Sequence, residues 1–176
     1  MMKKNISPTD IQNTFDEDDI IVSKTDLKGY ITYVNDVFCK VAEANVCDLI
    51  GKPHRIIRHP DMPRCVFQLL WQQIEAKKEI FAFVKNMALS GNYYWVFAHV
   101  SPTLDDAGNI VGYHSNRRQV PTSIIPVVSE LYKSILEVEK SHSNTKEGMN
   151  AGFEIIVNLL NENKMTYDEF VWSLFK

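Results

Sequence analysis

Cysteine, glycine and proline are all scarce in this chain. Its 176 residues hold three cysteines and seven each of glycine and proline. Cys39, Cys47 and Cys65 form neither a Cys-x-x-Cys pair nor an even set. That argues against a disulfide framework and for free thiols in a reducing compartment. So little glycine and proline excludes collagen-like and low-complexity architectures. A surplus of basic charge is absent too. Lys and Arg number 19 against 22 Asp and Glu, a net charge of −3, which leaves no global basic footprint for nucleic acid. No apolar run approaches the roughly 18 residues of a membrane-spanning helix. The opening Met1-Met2-Lys3-Lys4-Asn5 lacks the apolar stretch of a secretory signal. The expectation is a cytoplasmic protein with no direct membrane span. The P-loop, G-x-G-x-x-G, G-x-S-x-G and H-E-x-x-H fingerprints are all missing, and the five histidines make no metal-ligand spacing, so neither an enzyme nor a metal site is expected.

What remains is ordinary globular material: 45% hydrophobic, 23% charged and 11% aromatic residues, enough for one cored domain and a remainder. The composition divides the chain into an N-terminal arm (1–19), a central domain (20–120) and a helical appendage (121–176). The arm is polar and ends in Asp16-Glu17-Asp18-Asp19; it reads as solvated, with a short helix opening near Pro8. Ile20 to Asp26 and Tyr30 to Asn35 are β-rich and flank the turn Asp26-Leu27-Lys28-Gly29, a hairpin pattern. Asn35 and Asp36 then supply N-cap chemistry for short helices that run to Ile50, before Gly51. Val66, Leu69, Leu70 and Ile74 have helical spacing within Arg64 to Lys77. Strands are expected over Glu79–Met87, Tyr93–Val100 and Ile110–Arg118, separated by the turns at Ser90-Gly91-Asn92 and Asp105–Asn109. Hairpin-joined strands make the sheet antiparallel and the fold α+β.

Beyond Pro121, Ile124, Val128, Leu131, Ile135 and Val138 form an apolar stripe over two heptads. The stripe suits either packing onto the sheet or a dimer seam. A second helix is expected over Lys146–Asn163. Thr166-x-x-Glu169 is a capping box that opens a last apolar helix carrying Phe170, Val171, Trp172, Leu174 and Phe175. So much apolar surface needs a cover, from the chain itself or from a partner.

The densest polar feature is His54-Arg55-Ile56-Ile57-Arg58-His59-Pro60-Asp61-Met62-Pro63. A cation, a titratable ring and a carboxylate fall within four residues, on backbone stiffened by two prolines. Such a loop could hold a polar ligand, with Arg58 suited to phosphate or carboxylate. Its plainer reading is that Asp61 caps the next helix and His59 bonds a nearby carbonyl.

This segment, with Gly51-Lys52-Pro53-His54 before it, resembles the PAS domain of the Aer-type aerotaxis and energy-taxis receptors. Ile31-Thr32-Tyr33-Val34-Asn35-Asp36-x-Phe38, Val84-Lys85-Asn86, Gly91-x-x-Tyr94-Trp95-Val96 and Gly112-Tyr113 extend the likeness over about residues 18 to 120. The resemblance implies a five-stranded antiparallel sheet with short helices on one face, followed here by C-terminal helices. It implies an FAD-binding redox or oxygen sensor, with flavin contacts at Asn35, Arg58, His59, Asp61, Phe67, Trp71 and Asn86. Phe67 and Trp71 lie four apart on one helical face and would wall the ring, or serve as ordinary core. It also implies a signalling partner: a membrane-bound chemoreceptor or a HAMP-type protein, as for stand-alone sensor subunits. A homodimer through the N- or C-terminal helices is a further expectation. Two departures stand out. Ile80 occupies the place of the family's tryptophan before the Lys-Asn pair, and Met87-Ala88-Leu89 replaces an Arg-rich hairpin. The rival readings are a ligand-free PAS interaction module and a haem sensor with His59, His99 or His114 as axial ligand.

Overall fold

The computed structural model of the chain describes residues 6–176. Five strands form one antiparallel sheet: β1 (Ile21–Thr25), β2 (Ile31–Val34), β3 (Ile80–Met87), β4 (Tyr93–Leu104) and β5 (Ile110–Gln119). Their spatial order is β2-β1-β5-β4-β3, so β5 sits centrally between β1 and β4. Among the described residues six α-helices complete the fold: α1 (Asp36–Val41), α2 (Val46–Leu49), α3 (Arg64–Glu75), α4 (Ile125–Ser141), α5 (Thr145–Glu162) and α6 (Tyr167–Ser173), with a 3-10 turn at His54–Ile57. This is the α+β architecture that the sequence pattern implied.

Local chemistry accounts for the early elements. Gly29 takes φ +76° in the β1–β2 turn, where the Asp26 carboxylate accepts from the Lys28 and Tyr30 amides. The Asn35 side chain accepts from the Phe38 amide and caps α1. Gly51 ends the short-helix region in the left-handed conformation. Helix α4 starts at Ile125, so Pro126 falls in its first turn, the place where a missing N–H costs nothing. The Thr166–Glu169 capping box forms as expected.

The two faces of the sheet are covered differently. One face turns Ile21, Ser23, Ala98, Ser115 and Arg117 toward α1, α2 and the 3-10 turn, where Phe38, Leu49 and Ile57 are buried. The opposite face carries Phe83, Trp95 and Phe97. It meets α4 through Tyr132, whose hydroxyl donates to the Phe83 carbonyl at 2.7 Å, and α6 and the residues just after it through Trp172 and Phe175.

Several expectations need correction. Residues 1–5 of the arm lie outside the described residues; the rest forms no helix at Pro8. It runs extended beside the β3–β4 turn, with Thr9 donating to the Gly91 carbonyl, Asn13 donating to the Tyr93 carbonyl, and Phe15 buried. Glycine at 91 makes the approach feasible, since a Cβ there would strike the Ser7 carbonyl. Strand β4 continues to Leu104, beyond Val100, because β5 pairs with it that far. Of the two readings of the α4 stripe, packing onto the sheet is the one observed: Ile124, Val128 and Ile135 are buried within the chain's own core. Asp61 does not cap α3. Pro63 holds the cap position without a side-chain bond, and the first amides of α3 donate instead to Glu139 of α4. No helix among the described residues is long and apolar enough to cross a membrane.

Candidate functional site

Arg117 is the centre of the site. It lies on the central strand β5, opposite Ile21 of β1 and Ala98 of β4, and only 4% of its surface is exposed. Its Nη2 donates to Ser23 Oγ at 2.9 Å and to His54 Nε2 at 2.7 Å, and the guanidinium stands 5.5 Å from the Phe38 ring. Among the described residues no carboxylate pairs with it. Its Nη1 has no hydrogen-bond partner. Burial pulls the guanidinium down to about 10, which leaves it charged at neutral pH. Burial, then the charge of Arg117, pulls the His54 imidazole down to about 3. His54 is therefore neutral, and its Nε2 lone pair is the acceptor. A buried cation without a counter-ion costs several kcal/mol unless something anionic or strongly polar answers it.

Further orphaned groups lie on the same face of the sheet. Ser115 Oγ is buried without a partner, two residues from Arg117 on the same face of β5. Asn86 on β3 is buried and its Nδ2 is unpartnered. The Tyr94 phenol, opposite Asn86 in register, is pushed up by burial. In native proteins most buried polar groups are bonded, so orphans gathered on one sheet face call for a ligand or water.

The residues picked out in the sequence fall into separate places. Arg58 bridges Asn86 at the edge of β3; its guanidinium stacks 4.0 Å from the Phe67 ring and donates to the Met62 carbonyl. Arg58, Phe67 and Asn86 thus come together. Trp71 packs edge-on against Tyr113 at 5.4 Å, with its indole tip against Gly29, and belongs to a cluster with Leu69, Ile74 and Ile80. Ile80, in the place of the family's tryptophan, is thus core. Asn35 is spent on backbone: Oδ1 accepts from Val22 and Phe38, and Nδ2 donates to the Ile20 carbonyl. His59 and Asp61 turn elsewhere. His59 Nδ1 accepts from the Asp61 amide, rather than bonding a carbonyl, and its ring meets Tyr93 edge-on; Nε2 is unpartnered. Burial and the Lys85 ammonium lower its pKa. Asp61 is 59% exposed, pairs with Lys85 at 2.7 Å, and lines an open groove of about 420 Å³ beside α4. Partial burial pushes its carboxyl up, but the Lys85 hydrogen bond and charge, with the charges of His59 and Lys140, together pull it lower, and the net shift is downward.

Sequence reasoning missed Arg117, His54, Ser23, Ser115 and Tyr94. The available signal was the two-residue alternation Tyr113, Ser115, Arg117, which places an arginine on the same strand face as core residues. Of the three proposed axial histidines, His99 faces Glu79 and Phe81, His114 bonds Asn116, and His59 faces Tyr93. None of them joins the Arg117 cluster.

Residues 31–117 match the family described as the PAS fold. The aerotaxis receptor of Escherichia coli (strain K12) is 38% identical over 125 residues, 70% of this chain and 24% of the receptor. The nitrogen fixation regulatory protein of Klebsiella pneumoniae is 26% identical over 104 residues, 59% of this chain and 21% of that protein. The chain thus spans under a quarter of the length of these relatives. A light-oxygen-voltage domain solved in a study of a flavin analogue has the same fold: TM-score 0.55 and 16% identity, covering 69% of this chain and 87% of that one.

Proposed function

Through residues 31–117 the chain belongs to the PAS fold family, in the form found in aerotaxis receptors, and on that premise we propose that it is an FAD-binding redox or oxygen sensor. The observation that carries this reading is Arg117, a buried charge with no carboxylate partner among the described residues, on the same sheet face as the unpartnered Ser115 and Asn86. A flavin supplies an electron-accepting ring with polar edges and a diphosphate linker, and its charge changes on reduction. The donor set suits it. Arg117 and Asn86 would donate to the ring edge. Trp71 and Phe67 offer aromatic walls from one face of α3, and Arg58 offers a fork for an anion. His54 holds its lone pair toward Arg117 and keeps the guanidinium in place. Asn35, His59 and Asp61 enter as positioning residues: Asn35 ties α1 to β1, and the His59–Asp61–Lys85 linkage fixes the loop that carries Arg58.

The reading extends to output. The sensor works in the cytoplasm without catalysing a reaction, and its C-terminal helices signal to a membrane-bound chemoreceptor or a HAMP-type protein. The aerotaxis receptor's name is the support for that assignment. The test is an absorbance spectrum of freshly purified protein, with flavin identified after denaturation. Bound FAD in near-stoichiometric amount is expected; protein that stays colourless after FAD is added overturns the cofactor. Burial of Ile80 in a filled apolar cluster favours a second reading, a ligand-free interaction module. In that case alanine at Arg117 and Asn86 leaves partner binding intact.

A further inference from the structure

Glu139 lies on α4, 75 positions from Arg64 in the chain, yet it opens α3. Its Oε2 accepts from the Arg64 amide at 2.9 Å and its Oε1 from the Cys65 amide at 2.9 Å. A carboxylate on two helix-opening amides is a charge-assisted, directional contact, aided by the helix dipole. The same residue is gripped from behind by α5. A Cβ at Gly148 would strike the Glu139 carbonyl oxygen, and one at Gly152 would lie 2.9 Å from the Glu139 Cγ. Gly148 and Gly152 are one turn apart, so α5 presents a groove without side chains to this residue. Glu139 also acts on its surroundings in α3. Burial and the Glu139 carboxylate push the Cys65 thiol up to about 12, and Glu139 offsets part of the burial that lowers Arg58.

Helix α3 begins where the segment 58–63 ends. That segment is held along its length by the Arg58–Asn86 bridge, by Arg58 donating to the Met62 carbonyl, and by the Lys85 amide donating to Met62 Sδ. This carboxylate therefore adds a directional polar link between the 58–63 segment, through the first turn of α3, and the α4–α5 pair, beside the apolar packing of α3 on α5, and α5 leads into α6.

Resting on the sensor reading, we propose that Glu139 is the output coupler of this chain. Movement of the 58–63 segment shifts the first turn of α3, and Glu139 carries that shift to α4, α5 and α6. Glu139 is a positioning residue: it touches no ligand and acts through the Arg64 and Cys65 amides.

The test is amide hydrogen exchange on the full chain. Arg58→Ala frees the segment. It is expected to speed exchange at residues 145–156 roughly tenfold when Glu139 is present, the scale of losing one charge-assisted hydrogen bond, and less than about twofold when Glu139→Gln is added. Equal acceleration in both backgrounds, or none in either, overturns the coupler. Should Glu139→Gln lose the slow exchange of β4 and β5, Glu139→Asp carries the same comparison, since it withdraws the charge by one methylene. In FAD-loaded protein, reduction by dithionite changes exchange at 145–156 in the parent chain and not in Glu139→Gln, with equal flavin content in both. A redox response that survives in Glu139→Gln also overturns it. A chain that binds no flavin ends the sensor reading, and the Arg58→Ala comparison then judges Glu139 alone.

Discussion

Arg117 and His54 state the central chemical tension of the molecule. The guanidinium is charged and buried, and its nearest partners are a hydroxyl and a neutral imidazole. Arg117→Met removes the charge at similar length. In flavin-free protein the expected effect on stability is small, because loss of the desolvation penalty offsets loss of two neutral-acceptor bonds. Flavin affinity is expected to fall about tenfold or more, the scale of one charged hydrogen bond. Thermal melts of the flavin-free protein and FAD titration check the two halves; an affinity unchanged by the substitution would remove Arg117 from the proposed flavin contacts. His54 sets a pH dependence. Unfolded, it takes up a proton near its ordinary 6.5; folded, near 3. Between those values the unfolded state binds more protons, so stability is full above about pH 6.5 and falls as the pH drops toward 3, by up to about 1.4 kcal/mol per unit. Urea unfolding of flavin-free protein from pH 7 to pH 4 measures the slope, and His54→Gln is expected to flatten it.

Turns and caps show how far local sequence carries an element. The β1–β2 turn was legible because Asp26 and Gly29 have the chemistry a tight turn demands, and the structure adds that the Gly29 position abuts Trp71. Gly29→Ala is expected to cost about 1–2 kcal/mol from the left-handed backbone alone. The tryptophan fluorescence should shift as well, because a Cβ would lie 3.3 Å from the Trp71 ring. Denaturant unfolding followed at that emission reads both effects. The start of α3 was not legible in the same way. Asp61 stands near the helix start and looks like its cap, but Lys85 on β3 takes its carboxylate, and the cap arrives from α4. The arm failed for a related reason. Its polar residues read as solvated, yet Asn13 and Thr9 find partners on Asn92, Glu43 and the Gly91 carbonyl.

For the whole molecule the question is what covers the second face of the sheet. The C-terminal segment does: α4 brings Tyr132 to Phe83 and Trp95, and α6 with the residues after it brings Trp172 and Phe175 to Phe97. The appendage is thus continuous with the domain core and not a detached lever. Deleting residues 122–176 uncovers Val66, Phe83, Trp95 and Phe97 together, an apolar patch of the kind that drives association. The truncated chain is expected to form particles of more protomers than the full chain does in light scattering after size exclusion. Equal behaviour of the two would show that the face tolerates exposure.

The sequence by itself determined what depends on neighbours along the chain: strand alternation, the Asp26–Gly29 turn, the Asn35 and Thr166 caps, and the order of elements, from which the antiparallel α+β sheet follows. It also brought forward Arg58, Phe67 and Asn86, which the fold does gather. Only the tertiary structure decided the rest. Strand order places Arg117 between Ser23 and His54, residues 94 and 63 positions away. Chain return places Glu139 on α3. It also sends Ile124, Val128 and Ile135 of the α4 stripe inward. Such pairings are set by which buried surfaces meet, and the hydrophobic effect that drives them is non-directional; the geometry that selects a polar partner exists only once the layers have packed.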